Sequence, residues 1–296
     1  MNTHRRRHLA ELLLASVTLF WGATFPLVKT AVSEVPVLSF LWVRFALSAG
    51  LLALFSSRRL LTLEARDLGR GVVLGVLLFL SYLLQTLGLH LTTAANAGFL
   101  TGLNVVWVPL LAGPLLGKSP APGARIGVAA AVTGLFLLTW HTPWRLEAGD
   151  ALVVACSVFV AFHILGLDAW TEGCDGRALA FVQIATMAVL ALGASLMVDP
   201  VTWPRRWSPT VLAALGITAF FATAYAFWVQ TSFQRWTTPT RAALIYTLEP
   251  VFAAAFATLA GERLSALAWA GGALVILGMV LAELWPAGTG ERLGEV

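Results

Sequence analysis

Apolar residues run through the whole chain in stretches of about twenty, separated by short polar segments. The ten stretches are residues 9–31, 36–55, 68–89, 94–116, 123–140, 151–167, 179–198, 210–229, 239–260 and 266–284. An α-helix rises 1.5 Å per residue, so about 20 residues cross the hydrocarbon core of a bilayer, which is roughly 30 Å thick. The pattern therefore predicts ten transmembrane helices, called below the first to the tenth span.

The composition is that of a membrane protein. Hydrophobic residues make up 58% of the 296 residues and charged residues 11%, with a mean hydropathy of +0.82. Soluble domains contain about 25% charged residues. Since the segments between the spans are short, no part outside the membrane is large enough to bury a core of its own. We therefore predict a single all-α transmembrane domain over residues 1–296.

The basic residues indicate how the chain is oriented. The net charge of +4 could suggest a nucleic-acid partner, but no basic folded face remains outside the membrane to bind one. Cytoplasmic segments of membrane proteins carry an excess of Lys and Arg. With the N-terminus inside, the cytoplasmic side holds Arg5, Arg6, Arg7, Arg58, Arg59, Arg66, Arg70, Lys118, Arg125, Arg177, Arg235, Arg241 and Arg292, against Lys29, Arg145, Arg205, Arg206 and Arg263 opposite. The bias predicts that both termini are cytoplasmic.

The start of the chain has the basic and then apolar pattern of a signal peptide. The apolar run continues past Trp21 to Ala31, however, with no small-x-small cleavage site before polar sequence begins. We therefore predict a retained first helix.

The two cysteines do not indicate a disulfide or a metal site. Cys156 lies in the sixth span and Cys174 just beyond it, so a helix between them separates the thiols by about 27 Å. Both are predicted to be packing residues, and no metal or cofactor is expected.

A glycine pattern indicates an internal duplication. Gly117, Gly127 and Gly134 recur with the same spacing as Gly261, Gly271 and Gly278, and the pair Thr92-Thr93 before the fourth span recurs as Thr237-Thr238 before the ninth. The repeats cover residues 1–145 and 146–296. Because each contains five helices, the second must enter the membrane from the opposite side. Such inverted repeats enclose a central cavity near the midplane and operate by alternating access.

The fifth and tenth spans are predicted to be packing helices. Small residues occupy one face of each, at Gly127, Ala131 and Gly134 and at Gly271 and Gly278. Small residues let helices approach closely in lipid. These spans therefore form either an edge of the bundle or the seam of a homodimer.

Polar and aromatic pairs at i, i+3 spacing mark four further spans. A polar face turned towards lipid is costly, so these faces are expected to converge on the central cavity as substrate-binding residues. The pairs are Tyr82 and Gln85, Thr101 and Asn104, Tyr225 and Trp228, and Tyr246 and Glu249.

Other candidates come from single residues. Trp107, Trp21, Thr24 and His163 lie deep in their spans, and their aromatic and polar groups suit substrate contact. Each has a structural alternative, since an intramembrane amide such as Asn104 can join two helices and a buried histidine such as His163 is often a satisfied interior residue. Neutral hydrogen bonds to substrate are expected from Gln85, Thr101, Asn104 and Gln230.

Two charges lie too deep to reach the membrane surface. Arg44 is in the second span and Glu249 near the middle of the ninth, where Pro250 weakens the helix. We predict gating or structural roles for both, with mutual or backbone pairing as the alternative to substrate contact. Lys29 is close to the outer end of the first span and can extend to the interface.

Several motifs together resemble the EamA-type family of the drug/metabolite transporter superfamily. They are Trp21-Gly22, Arg44-Phe45, Leu248-Glu249-Pro250-Val251-Phe252 and Gly261-Glu262-Arg263. Within that family, bacterial exporters of aromatic and other amino acids are similar at Ser81-Tyr82, at Asn104 with Trp107 and Pro109, and at Ala224-Tyr225-Ala226 with Trp228. The resemblance implies export of amino acids or related small metabolites across the inner membrane. Two departures are Lys118, where the first repeat of the family usually has Glu, and the retention of Glu249.

Other function classes fit less well. A multidrug or organic-cation carrier, which would use the same aromatic cavity, stays open as the alternative, whereas the following classes lack their signatures. An intramembrane lipid-processing enzyme would need a nucleophile and base, or a ligand cluster, at membrane depth, and the spans offer no such pairing. A channel would show charge rings or glycine-rich filter loops, and an ATP-driven pump a Gly-x4-Gly-Lys-Ser/Thr loop. The sequence therefore favours a secondary carrier, proton-coupled or uniporting, with a small molecule and lipid as its partners.

Overall fold

The computed structural model describes residues 3–60, 63–140, 148–198, 208–259 and 264–284, and these ranges are almost entirely helical. Seven helical segments in the described part are long and apolar enough to cross a membrane, and two shorter apolar helices, Pro122–Leu138 and Ala266–Ala282, accompany them. The helices are α1 Thr3–Glu34, α2 Val37–Leu60, α3 Ala65–Leu91, α4 Ala94–Gly102, α5 Asn104–Leu116, α6 Pro122–Thr139, α7 Ala148–Trp170, α8 Gly176–Val198, α9 Pro209–Ala219, α10 Ala226–Phe233, α11 Pro239–Tyr246, α12 Leu248–Leu259 and α13 Ala266–Leu284.

Three of the ten spans are not the continuous α-helices that the apolar pattern predicts. The fourth span breaks at Leu103, between α4 and α5, and the ninth breaks at Thr247, between α11 and α12. The ninth breaks there because Pro250 has no N–H to give to the carbonyl of Tyr246. The eighth span consists of α9, a π-helical segment Phe220–Tyr225, α10 and a final 3₁₀ turn.

The fifth and tenth spans confirm the predicted glycine packing. A Cβ added at Gly134 would lie 2.6 Å from the carbonyl oxygen of Gly271, and one at Gly127 would lie 2.5 Å from that of Gly278. The order of these contacts shows that α6 and α13, which are equivalent helices of the two halves, run antiparallel. That direction is what inverted repeats require. The seam lies within one chain, so the glycine face is already covered.

The remaining helices pair in the same symmetric way. Helix α2 packs against its equivalent α8, while α3 packs on α7 as the eighth span packs on α1. Large apolar side chains on the outer surface, such as Leu54 and Val189, remain exposed as a lipid-facing surface requires. The described chain is thus an all-α membrane protein with two inverted halves that meet around a central space.

Candidate functional site: the central cavity

A narrow cavity of about 70 Å³ lies between the two halves. Space of this size holds several water molecules, but it is well below the roughly 300–1,000 Å³ of small-molecule sites, so the helices must separate to admit a solute. The lining residues come from both halves: Trp21, Thr24, Phe25, Val28, Arg44, Leu78, Ser81, Tyr82, Gln85, Thr86, Leu89, Thr101, Asn104, Cys156, Val160, His163, Phe227, Gln230, Tyr246 and Glu249.

The two broken spans bring matching residues to the cavity. Thr101 and Tyr246 each stand nine residues after the threonine that precedes their span, Thr92 or Thr237, while Asn104 and Glu249 each stand twelve after it. Asn104 opens α5 and Glu249 lies in the first turn of α12, directly beyond the breaks. Discontinuous helices at the interface of inverted repeats are where carriers of this architecture bind solutes.

Close packing holds the second break against the first helix. A Cβ added at Gly22 would lie 2.5 Å from the carbonyl oxygen of Glu249 and 2.8 Å from the backbone nitrogen of Ala253. The Trp21-Gly22 and Glu249-Pro250 motifs are therefore one structural unit, in which glycine lets α1 touch the backbone of α12.

Two amide oxygens in the cavity wall lack a partner among the described residues. The Asn104 Nδ2 donates to the carbonyl of Thr101 at 2.8 Å, and the Gln230 Nε2 donates to the Gln234 Oε1 at 3.2 Å. The remaining amide oxygens, Asn104 Oδ1 and Gln230 Oε1, are buried and unsatisfied. Because an unpaired buried acceptor costs about 1–3 kcal/mol, both oxygens are placed to accept from a solute or from water.

The π-helical segment holds Arg44 in the wall of the cavity. The N–H of Ala226 bonds back to Phe221, which frees the carbonyl of Ala222 from its α-helical partner. The Arg44 Nη2 donates to this carbonyl at 3.3 Å, and the Trp21 Nε1 donates to it at 3.0 Å. The Arg44 Nε also donates to Thr223 Oγ1 at 2.8 Å.

Arg44 and Glu249 both line the cavity without pairing with each other. The guanidinium lies 5.0 Å from the ring centroid of Tyr82, while the buried Glu249 carboxyl has no hydrogen bond or ion pair within the described ranges. The sequence leaves two pairings of Arg44 open. Arg44 forms the one with the backbone, at the carbonyl of Ala222, and the ion pair between Arg44 and Glu249 does not form.

Side-chain hydrogen bonds fix the cavity wall in the second half. The His163 Nε2 lies 2.8 Å from Gln183 Oε1, and the Gln183 Nε2 donates to Thr231 Oγ1 at 3.1 Å. The Tyr246 hydroxyl donates to Gln234 Oε1 at 3.0 Å. His163 therefore lines the cavity and also forms an interior hydrogen bond, as expected for a buried structural histidine.

Three of the predicted substrate residues lie away from this cavity. The Trp107 Nε1 donates to Ser157 Oγ at 2.9 Å, and the Tyr225 hydroxyl lies 2.7 Å from Ser16 Oγ on the side of α1. Trp228 lines a separate outer groove. The expected convergence of four polar faces is therefore corrected to three, because the π-helical segment turns Tyr225 and Trp228 outward and directs the neighbouring Phe227 inward.

The remaining predicted residues do line the cavity: Trp21, Thr24, Tyr82, Gln85, Thr101, Asn104, His163, Gln230 and Tyr246, with the charges Arg44 and Glu249. Cys156, predicted only to pack, also reaches it. Phe227 gave no sequence signal because it is one apolar residue in an apolar span. In the part of the chain that the structure describes, no group of three or more His, Cys, Asp or Glu side chains could hold a metal ion.

Comparison with known proteins identifies the family. The model of the EamA-like transporter family matches residues 8–140 and again residues 147–284. The chain belongs to this family. A transporter of Archaeoglobus fulgidus, described only as uncharacterized, is 33% identical over 281 residues, which cover 94% of this chain and 87% of the relative. A crystal structure of another protein shares the fold with a TM-score of 0.78 at 17% identity, covering 94% of this chain and 97% of that one.

Family membership makes this chain a membrane transporter. The motif residues Gly261, Glu262 and Arg263 lie outside the described residues. Of the other motifs, those around Trp21-Gly22, Arg44, Tyr82, Asn104 and Glu249 lie at the central cavity or at the seam between α1 and α12, whereas Trp107, Tyr225 and Trp228 do not line the cavity.

Proposed function

We propose that the chain is a secondary transporter that exports amino acids or related small metabolites across the inner membrane, with both termini in the cytoplasm. One observation carries the proposal. Arg44 and Glu249 line one cavity, do not pair with each other, and share its wall with Asn104 and Gln230, whose buried amide oxygens have no described partners. A zwitterion supplies the cation, the anion and the N–H donors that such a cavity lacks.

The chemistry of the wall suits the two ends of an amino acid. Its ammonium group would be received by the Glu249 carboxyl and by the oxygens Asn104 Oδ1 and Gln230 Oε1. Its carboxylate would face Arg44, which the carbonyl of Ala222 and the hydroxyl of Thr223 already orient. The rings of Trp21, Tyr82, Phe227 and Tyr246 would surround an apolar or aromatic side chain.

Two hydrogen bonds at opposite ends of the bundle support alternating access. The Thr92 hydroxyl donates to Asp150 Oδ1 at 2.6 Å, and the Thr237 hydroxyl donates to Glu11 Oε1 at 3.2 Å. Asp150 lies near the start of the first helix of the second half, and Thr92 precedes the fourth span of the first half. Glu11 and Thr237 repeat this arrangement with the two halves exchanged. We call these the Asp150 latch and the Glu11 latch. Opening one while the other stays closed would expose the cavity to one side at a time.

A multidrug or organic-cation carrier is the second candidate. The unpaired Glu249 carboxyl and the ring faces of Trp21 and Tyr82 favour a cation. Arg44 in the same wall opposes one, since like charges in a site of low dielectric repel strongly. The geometry therefore supports a zwitterion better than a simple cation.

Flux into proteoliposomes with a panel of amino acids and organic cations, with and without a pH gradient, tests the proposal. For a zwitterion, Arg44→Gln and Glu249→Gln should each reduce uptake by at least about tenfold, since each removes one charged partner. For a cation carrier only Glu249→Gln would reduce uptake. Arg125→Gln, which changes an exposed cation outside the cavity, is the matched control. Amino-acid uptake that survives both cavity substitutions would contradict the proposal.

A further inference from the structure

A second, larger space opens on the outer surface of the bundle between α2 and the eighth span. Its volume is about 280 Å³. Leu51 and Phe55 form one wall, and Phe220, Ala224 and Trp228 form the other. We call it the α2–α10 groove. Nothing in the transport mechanism above uses it.

The groove has the depth of one leaflet. Its wall runs along the eighth span from Phe220, near the middle of that span, to Trp228, a distance of about 12 Å at 1.5 Å per residue. It ends beside Arg177 in the first turn of α8, on the side that the charge bias predicts to be cytoplasmic. An apolar trough from the midplane to a basic residue at the interface has the layout of one lipid acyl chain and its headgroup.

The interfacial end of the groove carries two polar groups. The Arg177 guanidinium lies 5.7 Å from the ring centroid of Trp228 and forms no ion pair with a described residue. The neighbouring carboxylate of Asp175 accepts the backbone N–H groups of Arg177 and Ala178 as a helix cap. Ser56 is 1% exposed and lines the groove, and its hydroxyl has no partner among the described residues. The guanidinium of Arg177 and the hydroxyl of Ser56 can together bind an anion that carries several oxygen atoms.

The corresponding seam of the other half packs closely over the first turns of its two helices. By the symmetry of the repeats, the seam of α2 with the eighth span corresponds to the seam of α8 with α3. There a Cβ added at Gly71 would lie 2.6 Å from the Val182 side chain, and one at Gly75 would lie 2.6 Å from that of Thr186. These contacts lie near the starts of α3 and α8, whereas the α2–α10 groove lies towards the ends of α2 and of the eighth span.

We propose that the α2–α10 groove binds an anionic phospholipid of the inner leaflet. One acyl chain fills the apolar trough, and the phosphate lies against Arg177. The Ser56 hydroxyl donates to a phosphate or ester oxygen. The bound lipid contacts the π-helical segment, whose other side holds Arg44 through Ala222, so it lies one helix away from the cavity.

Thermal unfolding of the purified full chain, delipidated in detergent and without transport substrate, tests this directly. Phosphatidylglycerol should raise the Tm more than phosphatidylcholine with the same acyl chains. Arg177→Gln should lower the affinity for phosphatidylglycerol about fivefold, to that for phosphatidylcholine. Leu51→Trp, which fills the trough, should weaken both lipids, and Ser56→Ala should weaken them less. Arg125→Gln, an exposed cation elsewhere on the predicted cytoplasmic side, should change neither.

Three results would overturn the proposal. Equal stabilisation of the wild-type protein by both lipids would show that the site has no preference for an anionic headgroup. An Arg177→Gln variant that responds to both lipids as Arg125→Gln does would show that the lipid does not bind at Arg177. Glycerol 3-phosphate alone reproducing the phosphatidylglycerol shift would identify a soluble anion instead of a lipid. Because no substrate is present, a failure of the transport proposal leaves this measurement unaffected.

Discussion

The hydroxyl of Thr92 and the carboxylate of Asp150 join the two halves of the transporter across a 2.6 Å hydrogen bond. The other end of the bundle repeats the arrangement with Thr237 and Glu11 at 3.2 Å. Each latch has a cation nearby: Lys29 Nζ donates to the carbonyl of Thr92 at 2.5 Å, and Arg241 Nη1 lies 3.9 Å from Glu11 Oε1. Both latches are formed at once around a cavity too narrow for a solute.

Weakening one latch should open the cavity to one side. Hydrogen bonds to charged groups contribute about 1.5–3 kcal/mol and neutral ones about 0.5–1.5 kcal/mol, so Asp150→Asn or Glu11→Gln, which keep an acceptor oxygen but lose the charge, should shift the conformational equilibrium about fivefold. Cys156 lines the cavity and can report this shift, with Cys174→Ala removing the other thiol. Asp150→Asn should speed the reaction of Cys156 with a membrane-impermeant maleimide from the outside, and Glu11→Gln should speed it from the cytoplasm.

The control for the latches is an ion pair between a carboxylate and a guanidinium within one helix. Asp67 pairs with Arg70 on α3 at 3.2 Å, and the contacts of this pair with Cys174 of the other half are already absent in the Cys174→Ala background. Asp67→Asn should leave the labelling of Cys156 unchanged on both sides. Equal acceleration from both sides by either latch variant would show general loosening and contradict alternating latches.

Substituting Gln230, whose amide oxygen has no described partner, should reduce transport with little loss of stability. Gln230→Met removes a buried acceptor without a described partner, so the free energy of unfolding should fall by less than about 1 kcal/mol or rise, while amino-acid flux drops at least about tenfold. Gln183→Met is the contrasting variant, because both ends of that amide are bonded to His163 and Thr231. It should destabilise the protein by about 1–3 kcal/mol, which denaturant unfolding in detergent measures.

The glycine seam between α6 and α13 should be intolerant of a single methyl group. Gly134→Ala places a Cβ 2.6 Å from the carbonyl of Gly271, and separating the helices should lower the free energy of unfolding by about 1–3 kcal/mol. Gly193→Ala, where the added Cβ meets nothing within 4 Å in α8, should be neutral or stabilise by up to about 1 kcal/mol. Thermal unfolding of the two variants under identical conditions compares them, and equal losses would contradict the packing argument.

Much of the architecture could be predicted because its determinants are local. The length of the apolar runs predicts the spans, and the repeated spacing of Gly127 and Gly134 at Gly271 and Gly278 predicts the duplication and close packing at these glycines, but not that the two helices pack on each other. In the fourth and ninth spans both members of each i, i+3 pair line the cavity, although the helix breaks between them. Their side chains reach the cavity for the reason given from the sequence, since polar groups avoid lipid.

The site itself could be predicted only in part, because its decisive feature has no sequence marker. The π-helical segment Phe220–Tyr225 contains neither glycine nor proline, yet it frees the Ala222 carbonyl for Trp21 and Arg44. It also sets the rotation of the eighth span, so Tyr225 and Trp228 lie outside the cavity. Which face of a helix meets the centre depends on tertiary packing that spacing alone does not encode.

Counterflow measures the central claim most directly. Proteoliposomes preloaded with an unlabelled amino acid are diluted into a trace of the same amino acid in labelled form. A carrier with one alternately exposed cavity should transiently concentrate the label inside, and Arg44→Gln or Glu249→Gln should abolish this overshoot while Arg125→Gln preserves it. Label that only equilibrates, without an overshoot for any amino acid of the panel, would contradict an alternating amino-acid carrier.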